Sequence, residues 1–250
     1  MESWKLKNIN ESYKKTAKFR NNNYIINPHN INLIGNIKDK TVLDVGCGFG
    51  RYLKILLKDN PSKLVGCDIS KHQIQLCNNT INNDNIEYFI IDFSDTTAPL
   101  IIGENKYDIV YTVFVILYVE TLDKLKIFID NCYKCLKKQG RIIICTLDIL
   151  SASFYPEVFD ILKLPVKTLV SNNKYSDGCS IQIEITKNCI VTSYQRNFET
   201  IKQLMKQVGF NNIRKHNLFL DEISLQAFTN RELDIIKKSN MFLLLEAQKL

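Results

Sequence analysis

Val42-Leu43-Asp44-Val45-Gly46-Cys47-Gly48-Phe49-Gly50-Arg51 runs an apolar segment into three alternating glycines and then into a helical pattern. Aliphatic and β-branched residues in so short a run suit a strand buried on both faces. The glycines that follow let the backbone turn sharply and approach a ligand with no Cβ in the way. The stretch reads as the first strand, turn and helix of an open α/β sheet, with its turn at the carboxyl end of a strand, where such sheets bind ligands. About twenty residues on, Lys63-Leu64-Val65-Gly66-Cys67-Asp68 ends a second strand on a carboxylate, placed to accept hydrogen bonds from both hydroxyls of a ribose. A dinucleotide loop seats a pyrophosphate with Gly-x-Gly-x-x-Gly, whereas the spacing here is Gly-x-Gly-x-Gly with Asp44 two positions ahead of it. A carboxylate there suits a cationic amino group better than a pyrophosphate.

Strand patterns at 41–45, 63–67, 86–91, 108–113 and 141–146 alternate with helical patterns near 51–58, 71–81 and 122–137. That alternation predicts a parallel sheet with helices on both faces. Before it, Ile9, Tyr13 and Ala17 mark an amphipathic helix over 9–19, and Pro28 starts a second short helix toward Ile34 with Gly35 as its stop. After it come a helical stretch at 151–163, extended segments at 176–194 around Asp177-Gly178, a helix at 198–208 and two last strands at 212–220 and 241–248. The expected fold is therefore α/β: a doubly wound, mostly parallel seven-stranded sheet with an N-terminal helical cap and an insertion after the fifth strand. One domain over 1–250 is expected, with a cap at 1–38, a cofactor-binding core at 39–148, a substrate lid at 149–197 and a closing helix and two strands at 198–250.

The motif Asp44 to Gly50, acidic-x-Gly-x-Gly-x-Gly, resembles the first motif of the class I S-adenosylmethionine-dependent methyltransferases, and the resemblance extends over about residues 20–250. Tyr107-Asp108-Ile109-Val110 and Leu136-Lys137-Lys138-Gln139-Gly140-Arg141 agree with the family's fourth and fifth strands, except that Gln139 stands where a glycine is common. The resemblance implies S-adenosylmethionine as cofactor and S-adenosylhomocysteine as product. It implies that Gly46, Gly48 and Gly50 line the methionine portion, that Asp68 holds the ribose, that Ile69 packs on the adenine and that Asp92 meets the adenine amino group. Asp44, Cys47, Phe93 and Tyr24 complete the expected cofactor contacts.

The segment Phe114 to Tyr118 stands where many relatives carry Leu-His-His, so the histidine of those enzymes is absent here. Methyl transfer is an in-line displacement for which alignment and exclusion of water supply much of the rate, and a base is needed only for some nucleophiles. Of three histidines, His29 is the first catalytic candidate, because relatives pack this N-terminal segment over the cofactor; Tyr118 is the second. Tyr13, Phe154, Tyr155, Tyr175 and Tyr194 fall in the expected cap and lid, and as a group they suggest an apolar or planar acceptor. Tyr194-Gln195-Arg196-Asn197-Phe198, followed by Val208-Gly209-Phe210, resembles the tail of small-molecule methyltransferases and tips the acceptor toward a metabolite.

Two other readings stay open. An RNA enzyme acting on tRNA fits Gly50-Arg51-Tyr52-Leu53 and the formal charge of +7, but the lysines are scattered and no RNA-binding motif is appended. A non-catalytic protein that keeps the cofactor as ligand is the third, since fold alone never proves activity. Eight cysteines do not form a secreted disulfide framework, and Cys132 and Cys135 lack a partner pair, so no metal is expected. The charged start and the short apolar runs argue against a signal peptide or a membrane span, which makes cytoplasm the expected compartment.

Overall fold

The central strands of this chain are apolar on both sides, and the structure shows why. In the computed structural model, which describes Glu11 and residues 22–163, 177–186 and 189–250, Val42 of strand β1 (Thr41–Val45) packs into one core while Leu43 and Val45 pack into another. A π-helical turn (Asn22–Ile26) and helix α1 (Asn27–Ile34) precede β1. Helix α2 (Arg51–Leu56), strand β2 (Lys63–Asp68), helix α3 (Lys71–Thr80) and strand β3 (Ile86–Ile90) follow it. Helix α4 (Ala98–Ile102), strand β4 (Tyr107–Val113), helix α5 (Leu122–Cys135) and strand β5 (Leu136–Leu147) complete the alternating part. The first core lies under α1, α2 and α3 through Ile34, Leu53, Leu56 and Ile74. The second lies under α4 and α5 through Ile102, Leu125, Phe128 and Ile129.

Beyond β5 the chain forms short helices α6 (Ile149–Ser153) and α7 (Glu157–Ile161), a hairpin of β6 (Ser180–Thr186) and β7 (Cys189–Tyr194), and helix α8 (Phe198–Val208). Strand β8 (Asn211–Lys215), helices α9 (Glu222–Gln226) and α10 (Asn230–Ser239) and strand β9 (Phe242–Gln248) end it. The large sheet has the order β3-β2-β1-β4-β5-β9-β8. Its first five strands are parallel, β9 runs antiparallel to β5, and β8 antiparallel to β9. The seven-stranded, mostly parallel sheet expected from the sequence is present. The strand expected at 212–220 stops at Lys215, and α9 and α10 occupy a stretch the sequence reading left unassigned.

The order reverses between β1 and β4, which splays the loops after those strands apart and opens a crevice at their carboxyl ends. Helix starts around the crevice are fixed by side-chain caps. Ser70 Oγ accepts the Gln73 N–H at 3.3 Å, Thr121 Oγ1 the Lys124 N–H at 3.2 Å, and Asn197 Oδ1 the Thr200 N–H at 2.8 Å. The carboxyl end of α1 is tied to the sheet by Arg141, whose guanidinium donates to the carbonyls of Leu33 and Ile34 and pairs with Glu246 at 2.8 Å. Gln139, where relatives favour glycine, holds a left-handed φ of 63° at the bulge that opens β5. No helix of the described residues is long and apolar enough to cross a membrane.

Candidate active site

The turn after β1 is folded onto the end of β2 by its own backbone amides. The Cys67 carbonyl accepts the N–H groups of both Gly46 and Cys47, at 2.8 and 2.9 Å. The next amide, Gly48, donates to Asp68 Oδ2 at 3.0 Å, and Ser70 N–H donates to Asp68 Oδ1 at 2.8 Å. Asp68 is thus held by one backbone donor on each oxygen. Burial raises its pKa to about 6, with the two N–H bonds acting against the rise. Gly46 has φ of +76°, and a Cβ there would lie 2.2 Å from Val115 Cγ2. Gly50 starts α2 with φ of +79°, and a Cβ there would lie 2.5 Å from Ile81 Cδ1. The loop has the form it has because glycine stands at both positions.

The resulting pocket is a crevice of about 660 Å³, its mouth included, floored by Gly46, Gly48 and Asp68. Ile69, Ile91, Asp92 and Phe93 wall one end, and Val113, Phe114, Val115 and Tyr118 the other. Asp92 is set by an Asx turn: its Oδ1 accepts from Ser94 N–H at 2.9 Å and from Ser94 Oγ at 2.7 Å. The loop beneath is held by the buried Asn131 of α5, whose Nδ2 donates to the carbonyls of Phe93 (2.9 Å) and Asp95 (2.7 Å). Phe93 itself is buried and stands edge-on to Phe128 with ring centroids 5.8 Å apart.

Asp44 lies behind the floor. It is only 2% exposed, and its Oδ2 has no hydrogen-bond partner among the described residues. Burial first, and then the charge of Asp68, push its pKa up to about 8. A buried carboxylate oxygen without a donor is destabilising until something supplies one. Among the described residues no Lys, Arg or His lines the pocket, while Asp68 and Asp92 do. The field is therefore wrong for a pyrophosphate and right for a ligand with a cationic amino group and hydroxyl donors. S-adenosylmethionine has both, so this set of acceptors fits it. Asp44 would face its ammonium, Asp68 its ribose, and Ile69 and Phe93 its base.

The other expected site residues are distributed as follows. Cys47 is buried with its side chain turned toward Gly66 and away from the crevice. Tyr24 is half-buried against the first core, outside the pocket lining. His29 is 2% exposed on α1, accepts the Phe219 N–H on Nδ1 at 2.7 Å, and is also absent from the lining. Burial and the neighbouring His216 lower its pKa to about 4, so it stays neutral and fastens α1 to the loop after β8. Tyr118 does line the pocket, from a 3-10 turn (Ile116–Tyr118). Phe154 is 75% exposed, Tyr155 is half-buried, and Tyr194 is half-buried with the Arg196 guanidinium 5.8 Å from its ring centre. Tyr13 and Tyr175 lie outside the described residues. Glu11 meets His72 at the start of α3 at 2.7 Å, which places part of the N-terminal segment beside the crevice. Among the described residues no three His, Cys, Asp or Glu side chains are grouped to hold a metal ion.

Sequence reasoning missed Gln73, Phe114, Val115 and Phe128, all of them lining residues. Gln73 had a signal, since it stands three residues after the capping Ser70 and one turn from Asp68. Val115 and Phe128 had none, because each reaches the crevice only through the packing of β4 and α5.

Replacing Asp68 by Ala removes the acceptor of the Gly48 N–H together with both oxygens facing the crevice. The expected result is at least a tenfold loss of S-adenosylhomocysteine affinity by calorimetry, roughly 1.4 kcal/mol, in a protein that remains folded by circular dichroism. Unchanged affinity would reject the ribose assignment.

Residues 43–144 match a family described as Methyltransferase domain. The chain is 32% identical over 107 residues to an O-methyltransferase 3 of Dictyostelium discoideum, which covers 41% of this chain and 24% of that protein. It is 31% identical over 149 residues to a tRNA U34 carboxymethyltransferase of Sulfurimonas denitrificans, covering 55% of this chain and 47% of that one. The chain thus spans less than half the length of these curated relatives. Among solved structures, an S-adenosylmethionine dependent methyltransferase from Mesorhizobium loti superposes with a TM-score of 0.63 at 16% identity, covering 86% of this chain and 93% of that one. At that identity the likeness concerns the fold.

Proposed function

We propose, from the premise that residues 43–144 form a class I S-adenosylmethionine-dependent methyltransferase domain, that the protein transfers a methyl group to a small-molecule acceptor with an apolar or planar face. The observation that carries this reading is the pairing of a backbone-held carboxylate, Asp68, with the unpartnered Asp44 oxygen behind a glycine floor. When bound, the cofactor supplies a methyl group on a positively charged sulfur.

The chain's own contribution is positional. Gly46 and Gly48 allow close approach at the floor, Asp68 presents its carboxylate in the crevice, and the buried Asp44 oxygen behind the floor would meet a second point of the ligand. Val113, Phe114, Val115 and Tyr118 exclude water from the end of the crevice nearest the switch point. Among the described residues that wall holds one polar side-chain group, the Tyr118 hydroxyl, and no charged residue. This favours an uncharged acceptor surface over a phosphate-rich one. Tyr118 brings a hydroxyl to that wall, and we assign it a positioning role at the acceptor.

Transfer to tRNA is the second reading, supported by the likeness to the tRNA U34 carboxymethyltransferase and by the net charge of +7. The discriminating experiment incubates the protein with methyl-labelled S-adenosylmethionine and a cell extract, then counts label in small-molecule, protein and RNA fractions. Label among small molecules is the expected result. Label confined to an RNase-sensitive fraction would replace this reading with the RNA enzyme, and cofactor binding without transfer would favour a non-catalytic binding protein.

A further inference from the structure

We infer that the carboxamide of Gln73 selects the adenine base of the cofactor, reading its amino group and the neighbouring ring nitrogen as a pair. The inference rests on the cofactor reading above and adds a residue to it. Gln73 is on the first turn of α3, its backbone N–H tied to the Ser70 cap, so its Cα cannot drift from the crevice. The residue is 1% exposed and lines the pocket together with Asp68, Ile69, Asp92 and Phe93. Its Oε1 is buried with no hydrogen-bond partner among the described residues.

A buried amide oxygen without a donor is destabilising. The neighbouring buried positions of the same helix are Ile74 and Cys77, and an apolar side chain at 73 would pack there without that cost. The oxygen therefore has a use in the liganded state, and a ligand donor must satisfy it. The nucleoside offers two kinds of donor. Its ribose hydroxyls are matched by the Asp68 carboxylate, which leaves the amino group of the base. Asp92, with Oδ1 already engaged by Ser94, accepts but cannot donate, so it senses an amino group and nothing beside it. A carboxamide presents an acceptor and a donor side by side, which complements the donor and acceptor that adenine places side by side. Hypoxanthine carries a carbonyl where adenine carries the amino group and an N–H where adenine carries the ring nitrogen, so in the carboxamide orientation the structure shows it sets acceptor against acceptor at Oε1 and donor against donor at Nε2. Sites built to hydrogen-bond one group reject analogues that lack it far more strongly than apolar pockets do.

The test is calorimetric and requires no acceptor. Dissociation constants for S-adenosylhomocysteine and S-inosylhomocysteine are measured on the full chain as wild type, Gln73→Leu, Gln73→Met and Asp68→Ala. The wild type is expected to prefer the adenine compound at least ~tenfold. Both Gln73 variants should lose about fivefold or more of S-adenosylhomocysteine affinity and most of the preference, because only the adenine compound loses a partner. Asp68→Ala should weaken both ligands alike and keep the preference. Gln73 variants that retain the wild-type ratio, or a wild type that binds both ligands equally, would overturn the role of Gln73 while leaving the cofactor site intact. A wild type that binds neither ligand would instead remove the cofactor reading on which the inference stands. Met at 73 is close to Gln in volume, so any loss of folding by the Leu variant leaves the test in place.

Discussion

Gly46→Ala is expected to lower S-adenosylhomocysteine affinity by at least ~100-fold, about 2.7 kcal/mol, and to destabilise the fold as well. Two causes add. Gly46 sits at φ of +76°, a conformation that costs an L-residue roughly 1–2 kcal/mol. Its new Cβ would also lie 2.2 Å from Cγ2 of Val115, a β-branched side chain on the loop after β4 that has little rotamer freedom with which to yield. Forcing a methyl into a filled site costs about 1–3 kcal/mol, so a total of roughly 2–5 kcal/mol and a Tm drop of about 4–20 °C are expected. Affinity falls as well as stability because Gly46 and Val115 both face the crevice, so whichever of them moves enters the ligand's volume. The partner variant separates the causes. Val115→Ala in the Gly46→Ala background should recover the steric share of the lost stability and leave the conformational share. A Gly46→Ala protein that binds within threefold of wild type would show that the floor of the site lies elsewhere.

The same contact marks where sequence stops being informative. Asp44, the glycines and Asp68 are local features of one βαβ unit, so their spacing alone brings them together, and the Gly48 to Asp68 bond shows that it does. The strands were legible for a related reason: burial on both faces demands continuous apolar runs, and 142–145 and 109–113 supply them. Val115, Phe114 and Phe128 were not legible, because they become neighbours of the loop only when β4 settles beside β1. Phe114 in addition adopts φ of +56°, a rare state for an aromatic residue that no local pattern announces. Helix α10 was legible and was missed. Thr229 and Glu232 form a capping box, with Leu233 and Ile236 three residues apart on the buried face. Its dense charge masked that periodicity. His29 was singled out for its chemistry and its place in the cap, but chemistry does not reveal orientation. Its Nδ1 is engaged by the Phe219 amide, which fastens two elements together.

Cofactor affinity is expected to rise with pH between 6 and 8, and the cause is the pair of carboxylates. Among the described residues the titratable groups around Asp44 are Asp68 on β2, Tyr111 on β4, Cys67 and Cys47; none of them is basic. With its pKa pushed up to about 8, Asp44 carries a proton at pH 7 in the ligand-free protein. A cationic ammonium favours the charged carboxylate, so binding releases that proton, and affinity climbs by up to ~tenfold per pH unit until about pH 8. Calorimetry in buffers of different ionisation enthalpy should register close to one proton released at pH 7. Asp44→Asn should abolish that release and flatten the profile above pH 7. A smaller step near pH 6 should remain in that variant, where Asp68 titrates. Stability of the ligand-free protein must move the opposite way. Between about pH 4, the ordinary carboxylate value, and pH 8, the folded state holds the Asp44 proton more tightly than the unfolded chain does. Its contribution therefore falls as pH rises, by on the order of 5 kcal/mol across that window. The ligand-induced rise in Tm should consequently widen from pH 6 to pH 8. An affinity independent of pH over that range, with no proton released, would show that Asp44 does not face the ammonium and that its unpartnered oxygen serves something else.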